Sequence, residues 1–228
     1  MAERSTPNSG RKAVVLLSGG LDSATTLYAA HRQGYVPHCL IFRYGQRHQK
    51  ETRQAVAVAR TAGCGYQILK IILPWQGSSL LNKKSPLPRR EKIDLQEIPS
   101  TYVPGRNIIF LSFAVSYAEA IGASAVFIGA NAIDYSGYPD CRPEFFQSFQ
   151  ETLRRGTKAG VNGKAIKILT PLVNLTKAQI IRLGMKLGVP YELTWSCYQG
   201  GRKPCGTCDS CVLRKKGFAA VGMADPAG

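Results

Sequence analysis

A short apolar run that passes directly into a double-glycine loop constrains this chain more than any other feature. Residues 13–17, Ala-Val-Val-Leu-Leu, read as a buried parallel strand. Ser18-Gly19-Gly20-Leu21-Asp22-Ser23 follows, and residues 21–33 have helical spacing up to a stop at Gly34. Glycines without a Cβ let backbone N–H groups wrap an anion, and the next helix aims its positive end at the same point. Ser18 and Ser23 can add hydroxyls. The end of a strand in an open parallel sheet is where such folds bind ligands. A plain Gly-Gly turn with Ser and Asp as helix caps is the alternative, and the strand and helix flanks argue against it. The Lys-Ser/Thr end of a Walker loop is missing, so γ-phosphate transfer is not indicated.

The alternation continues. Strands are expected at 38–42, 67–72, 125–128 and 166–169, and helices at 46–61, 107–121, 143 to about 158, and 177–187. Strands alternating with helices imply a parallel sheet covered on both faces. Residues 74–104, rich in Pro, Lys and Ser, read as a long loop or lid. The expected organisation is a polar tail at 1–12, an α/β domain at 13–190 and a small C-terminal lobe at 191–228. At 44% hydrophobic and 19% charged residues, the 228-residue chain has the composition of a globular fold and not of a disordered one. No apolar run approaches the ~20 residues of a bilayer span, and the first residues lack the apolar centre of a secretory signal. A cytoplasmic, membrane-free protein is expected.

Lys plus Arg number 30 against 14 for Asp plus Glu, a net charge of +16. This invites a nucleic-acid partner, but the charges are scattered as short groups such as Arg154-Arg155 and Arg214-Lys215-Lys216. A basic surface also suits an enzyme of anionic substrates. Four of the seven cysteines crowd together as Cys197, Cys205, Cys208 and Cys211. Four thiolates suit one tetrahedral structural Zn²⁺, with an iron–sulfur cluster as the alternative. Arg202, Lys203, Arg214 and Lys215 would offset the site's negative charge. Cys39 and Cys64 read as core or helix-end residues.

The loop Ser18–Ser23 resembles the pyrophosphate loop of the ATP pyrophosphatases, which adenylate an oxygen and release pyrophosphate. With the cysteine cluster, the chain is similar along most of its length to one branch, the QueC family of queuosine biosynthesis. The resemblance rests on Phe42-Arg-Tyr-Gly-Gln-Arg-His48, Tyr102-Val-Pro-Gly-Arg-Asn107, the segment 129–146, Thr170-Pro-Leu172, 175–180 and Thr194-Trp-Ser-Cys-Tyr198. It implies a Rossmann-like, adenine nucleotide alpha hydrolase-like α/β fold with a C-terminal zinc lobe. It implies ATP contacts at Leu17, Ser18, Gly19, Gly20, Leu21, Asp22, Ser23, Ala24, Thr25, Thr26 and Leu27, with Mg²⁺ organised by Asp22. The substrate loop would be Asp134, Tyr135, Tyr138, Asp140, Arg142 and Glu144, whose carboxylates, rings and guanidinium suit a purine-like acid.

The implied reaction is ligation of 7-carboxy-7-deazaguanine with ammonia to the 7-nitrile, through two adenylations. Asp22, Ser23, Lys164 and Arg106 are the candidate catalytic residues, although Arg106-Asn107 can equally be a helix-start device. His48 beside the nucleotide edge is a further candidate. A homodimer follows only from the family. Two rivals remain: a tRNA-modifying enzyme that adenylates a base, and a zinc-knuckle nucleic-acid binder without catalysis.

Overall fold

The computed structural model describes residues 10–75, 77–82, 84–87, 98–133 and 137–227. Asp134 and Tyr135 of the expected substrate loop lie outside the described residues. Five parallel strands, β1 (Arg11–Leu16), β2 (Tyr35–Arg43), β3 (Gly65–Lys70), β4 (Ala125–Phe127) and β5 (Lys167–Leu169), stand in the order 3-2-1-4-5. The order reverses at β1, so the chain crosses from one face of the sheet to the other between β3 and β4. That reversal opens a crevice above the ends of β1 and β4.

The period-2 alternation of β1 sorts its side chains between two cores. Ala13, Val15 and Leu17 face one core with α1 (Leu21–Arg32), α2 (Lys50–Thr61) and α6 (Lys177–Leu187). Val14 and Leu16 face the other, with α3 (Arg106–Ile121) and α4 (Pro143–Gly156). Cys39 and Ile41 of β2 join the first core, and Leu40 and Phe42 the second. Each fully buried Leu or Ile contributes about 1.5–3 kcal/mol.

Several boundaries differ from expectation for local reasons. The second helix starts at Lys50, not 46, because Gln46 is occupied in a turn. Its Oε1 accepts from Tyr44 N (2.9 Å) and its Nε2 donates to the Phe42 carbonyl (3.1 Å). β3 stops at Lys70 because its partner β2 ends at Arg43; Ile72 is consequently 87% exposed. α4 ends at Gly156, where extended Thr157 caps a one-turn helix, α5 (Lys158–Val161), by accepting from Gly160 N. α6 begins and ends as expected, with a capping box between Thr176 and Gln179 and left-handed Gly188 behind it.

The C-terminal segment holds a helix that the cysteine-rich sequence did not suggest, α7 (Asp209–Ala219). It packs closely on α6: a Cβ at Gly217 would lie 2.5 Å from Lys177 Cγ. Phe218, 1% exposed, enters the first core. Through α7 the C-terminal segment packs against the α/β body, while Trp195, Cys197, Cys208 and Cys211 form a small cluster of their own. Among the described residues, no helix is long and apolar enough to cross a membrane.

Candidate active site

The crevice at the strand reversal is a single cavity walled by the 18–23 loop, the β2–α2 connection, the start of α3, the end of β4 and the 195–198 segment. The loop is shaped by close approach. Gly19 has φ +88, and a Cβ there would lie 2.2 Å from the Glu51 carbonyl oxygen and 2.7 Å from Ala55 N. Only glycine fits between β1 and α2. Gly19→Ala is expected to push the loop off α2 and lower Tm; an unchanged thermal melt would refute this.

Within the loop the hydroxyls hold one another. Ser23 Oγ lies 3.0 Å from Ser18 Oγ, accepts from Ser18 N at 3.2 Å and donates to the Gly20 carbonyl at 3.0 Å. Ser23 is buried, so it acts as a latch, while Ser18 faces out. α1 has Gly20 as its N-cap, which brings no side chain to satisfy the first-turn N–H groups. Those donors, with the positive helix end, suit an anion. Gly129 lets the end of β4 pass close to α1, since a Cβ there would lie 3.0 Å from the Asp22 backbone.

Asp22 lies in the cavity wall, and both of its carboxylate oxygens receive Lys177 Nζ, at 2.7 and 2.8 Å. Lys177 comes from the first turn of α6, and its side chain is 9% exposed. A long-range pair of this kind leaves no local pattern in sequence; Lys177 is visible there only as a residue opening a helix.

The ATP contacts expected beyond Ser23 are corrected. Ala24, Thr25, Thr26 and Leu27 are all 0% exposed. Thr25 Oγ1 donates to the Leu21 carbonyl and meets Tyr191 Oη at 2.9 Å; Thr26 Oγ1 donates to the Asp22 carbonyl. The second turn of α1 turns these side chains into protein, away from the cavity. Leu17, Ser18, Gly20, Leu21, Asp22 and Ser23 line it, and Gly19 supports the loop from behind.

The expected substrate loop divides. Tyr138 lines the cavity, its hydroxyl 2.7 Å from Thr101 Oγ1 and its ring stacked on Tyr102. Asp140 is a cap instead: its carboxylate accepts from Asn107 N at 3.0 Å, and its carbonyl from Asn107 Nδ2 at 3.0 Å. Burial raises its carboxyl pKa, opposed by that backbone bond. Arg142 and Glu144 are exposed at the start of α4, outside the cavity lining. Lys164 is also corrected. It is exposed just before β5, and in an all-parallel sheet a strand's start lies at the end opposite the loop. Arg106 does reach the cavity, its Nη1 donating to Tyr44 Oη at 3.3 Å.

Arg47, Glu51, Trp195, Ser196 and Arg214 complete the wall and were not singled out as site residues by sequence reasoning. Arg47 donates to the carbonyls of Ser79 (2.7 Å), Asn82 (2.8 Å) and Ser85, which pins that part of the expected lid beside the cavity. Arg214 does not offset the cysteines: its guanidinium binds Asp225 (2.8 and 2.9 Å), Thr194 Oγ1 (2.7 Å) and the Tyr191 carbonyl (3.1 Å). Glu51, on the first turn of α2, has its carboxyl raised to about 7 by burial, with Arg106 opposing. A carboxyl raised in the folded state favours folding while neutral, below the ordinary value of 4.5, and loses that preference as pH rises through 7. Glu51→Gln is therefore expected to melt higher than the parent at pH 8, by a few degrees, and level with it near pH 4. A gap that does not grow with pH in melts across that window would exclude the account.

The four clustered cysteines place their sulfurs within 4.8 Å of one another, with Cys205 and Cys211 Sγ 3.9 Å apart. Four sulfurs on one Zn²⁺ at about 2.3 Å lie about 3.8 Å apart, so the set can hold a metal ion of that size. Gln199 N and Cys205 N donate to Cys197 Sγ (3.4 and 3.3 Å), and Cys208 N to Cys205 Sγ (3.4 Å). These bonds orient the sulfurs as ligands. The cluster abuts the cavity: the Cys197 carbonyl accepts from Trp195 Nε1 (2.9 Å) and lies 3.0 Å from His48 Nε2. Trp195 N in turn donates to the Gly19 carbonyl at 2.9 Å.

Residues 12–222 match the family model described as Queuosine biosynthesis protein QueC. A 7-cyano-7-deazaguanine synthase of Trichormus variabilis is 54% identical over 219 residues, 94% of this chain and 96% of that protein. One of Thermoplasma acidophilum is 54% identical over 217 residues, 95% of this chain and 91% of that protein. The likeness thus runs through the loop, the cavity wall and the cysteine cluster alike.

Proposed function

The chain belongs to the QueC family, and from that premise we propose that it is an ATP-dependent ligase joining 7-carboxy-7-deazaguanine and ammonia into 7-cyano-7-deazaguanine. The observation that carries the mechanism is the meeting, in one cavity, of the open N-terminus of α1 with the Asp22–Lys177 pair. A carboxylate resists ammonia until one oxygen becomes a leaving group. Adenylation supplies that group, ammonia gives the amide, and a second adenylation lets the amide oxygen leave as the nitrile forms.

The first-turn amides of α1 hold the β- and γ-phosphates, Ser23 keeps the loop in shape, and Lys177 offsets negative charge. Mg²⁺, carried in with ATP, would neutralise the departing pyrophosphate, and the Asp22 carboxylate is a hard oxygen ligand suited to it. Tyr138 offers a ring face to the deazapurine, and Arg106 a cation to its carboxylate. Positioning and charge stabilisation do the work without a covalent enzyme intermediate. The four cysteines hold one structural Zn²⁺ in a closed site. A free base is the substrate, not one within RNA.

The test is incubation with ATP, Mg²⁺, ammonium and 7-carboxy-7-deazaguanine, followed by mass detection of the nitrile and phosphorus NMR of the quenched mixture. AMP and pyrophosphate are the expected products, with added tRNA making no difference. ADP as the sole nucleotide product, or a requirement for tRNA, would overturn the reading.

A further inference from the structure

The nitrogen of ammonia carries three protons and that of a nitrile carries none. Nitrile formation therefore strips three protons from one atom, one as the amide forms and two as the nitrile forms. The phosphate loop removes none of them, and each loss calls for a base within reach of the nitrogen. Most bases of the cavity wall are already committed. Asp22 holds Lys177 with both oxygens. His48 has both ring nitrogens occupied: Nε2 donates to the Cys197 carbonyl at 3.0 Å, and Nδ1 accepts from Lys50 N at 3.3 Å. Burial pushes the Cys141 thiol up to about 12, which keeps it protonated. Glu51 differs from all three. It lies half-buried in the same wall, on the first turn of α2, and among the described residues it accepts no hydrogen bond and joins no ion pair. Its oxygens are not sealed in protein either. Arg106 reaches the cavity from the start of α3 and gives its Nη1 to Tyr44 Oη at 3.3 Å, not to Glu51. A carboxylate and a guanidinium that line one cavity without pairing are both left for a ligand, and the carboxylate of the acid substrate suits the guanidinium. Burial raises the Glu51 carboxyl to about 7 against the field of Arg106, so near neutral pH it can both take up and release a proton.

We propose that Glu51 is the general base of the ligation, taking the protons of the substrate nitrogen in both halves of the reaction. This rests on the ligase reading given above. In the first half the ammonia nitrogen bonds to the carbonyl carbon of the acyl-adenylate. The carbon–oxygen bond to AMP breaks, one N–H proton passes to Glu51, and the amide remains. Glu51 hands that proton to water. In the second half the amide oxygen bonds to the α-phosphorus of another ATP, and pyrophosphate leaves. The adenylated amide is then an iminium ion with two N–H protons. Glu51 takes the first and releases it, then takes the second as the carbon–oxygen bond breaks and AMP departs with the electron pair. Carbon and nitrogen are left triply bonded, and no oxidant or reductant is required.

Exchange of labelled pyrophosphate into ATP, driven by the acid substrate without ammonium, reads adenylation before any N–H proton is lost. At pH 8 the full-length Glu51→Gln chain should keep this exchange within a few-fold of the parent. Its nitrile formation from the acid and ammonium should fall at least about 10²-fold, the lower end of what a positioned base contributes. The same loss is expected when the amide, 7-carbamoyl-7-deazaguanine, is supplied with ATP and no ammonium, which separates proton removal from ammonia binding. Glu51→Ala should show the same split, so the result does not hang on the folding of one variant. Nitrile formation within a few-fold of the parent by either variant would overturn the assignment. So would loss of exchange along with nitrile formation in both, since Glu51 would then serve ATP or the acid and not the nitrogen. A parent chain that shows no exchange would instead overturn the ligase reading itself.

Discussion

Asp22→Asn is expected to cut nitrile formation by at least about 10²-fold, the scale of losing one preorganised electrostatic group, and also to destabilise the fold. The second effect comes from its partner. Lys177 Nζ meets both Asp22 oxygens at 2.7 and 2.8 Å with its side chain only 9% exposed, so the neutral amide weakens the pairing of a largely buried ammonium. Breaking a buried pair from one side costs about 3–5 kcal/mol, and the lower figure suits a pair whose acid is 23% exposed. Asp22→Asn combined with Lys177→Met removes the ammonium as well, while keeping the aliphatic stem that packs on Gly217. That double variant should regain most of the lost stability and none of the activity. Denaturant melts and a nitrile assay on the three proteins separate the two roles. Turnover within a few-fold of the parent by Asp22→Asn would remove Asp22 from the chemistry.

Loss of the metal should strike stability and catalysis together. Metal binding in small four-ligand units contributes on the order of 10 kcal/mol to their folding, and here part of that is shared with α7, which Phe218 anchors in the core. Cys205→Ala is expected to bind little zinc and to melt roughly 10 °C or more lower, as a loss of several kcal/mol does in a domain of this size. ATP binding should weaken at the same time. The Cys197 carbonyl fixes Trp195 and His48, and Trp195 N holds the Gly19 carbonyl, so disorder at the sulfurs reaches the phosphate loop through one strap of backbone. Elemental analysis, thermal melts and ATP titration of parent and variant measure the three effects. A variant that keeps one zinc per chain and its full Tm would show that Cys205 is not a ligand.

How far the sequence reached follows a physical divide. The parallel α/β fold was legible because apolar alternation and helix caps are written within a dozen residues, and Thr176-x-x-Gln179 with Gly188 marked α6 without help from the rest of the chain. The anion loop and the four-cysteine spacing were legible for the same reason, each being a local device whose members adjoin in sequence. The sequence did not announce α7, whose burial depends on contact with α6 and the core. Nor could it separate Asp140, which caps α3 across 33 residues, from a ligand carboxylate, since both look like an acid in a loop. Lys164 looked suitable as a cation, but the direction of β5 puts it at the far end of the sheet.

The sequence by itself thus determined the layers, the direction of the strands and the position of the double-glycine loop, because backbone hydrogen bonding and side-chain periodicity are short-range. The tertiary structure alone decided which charges stand beside that loop. Lys177 lies 155 residues from Asp22, and only the return of α6 beside α1 brings the ammonium to the carboxylate, since a Coulomb pair depends on distance through space and not along the chain.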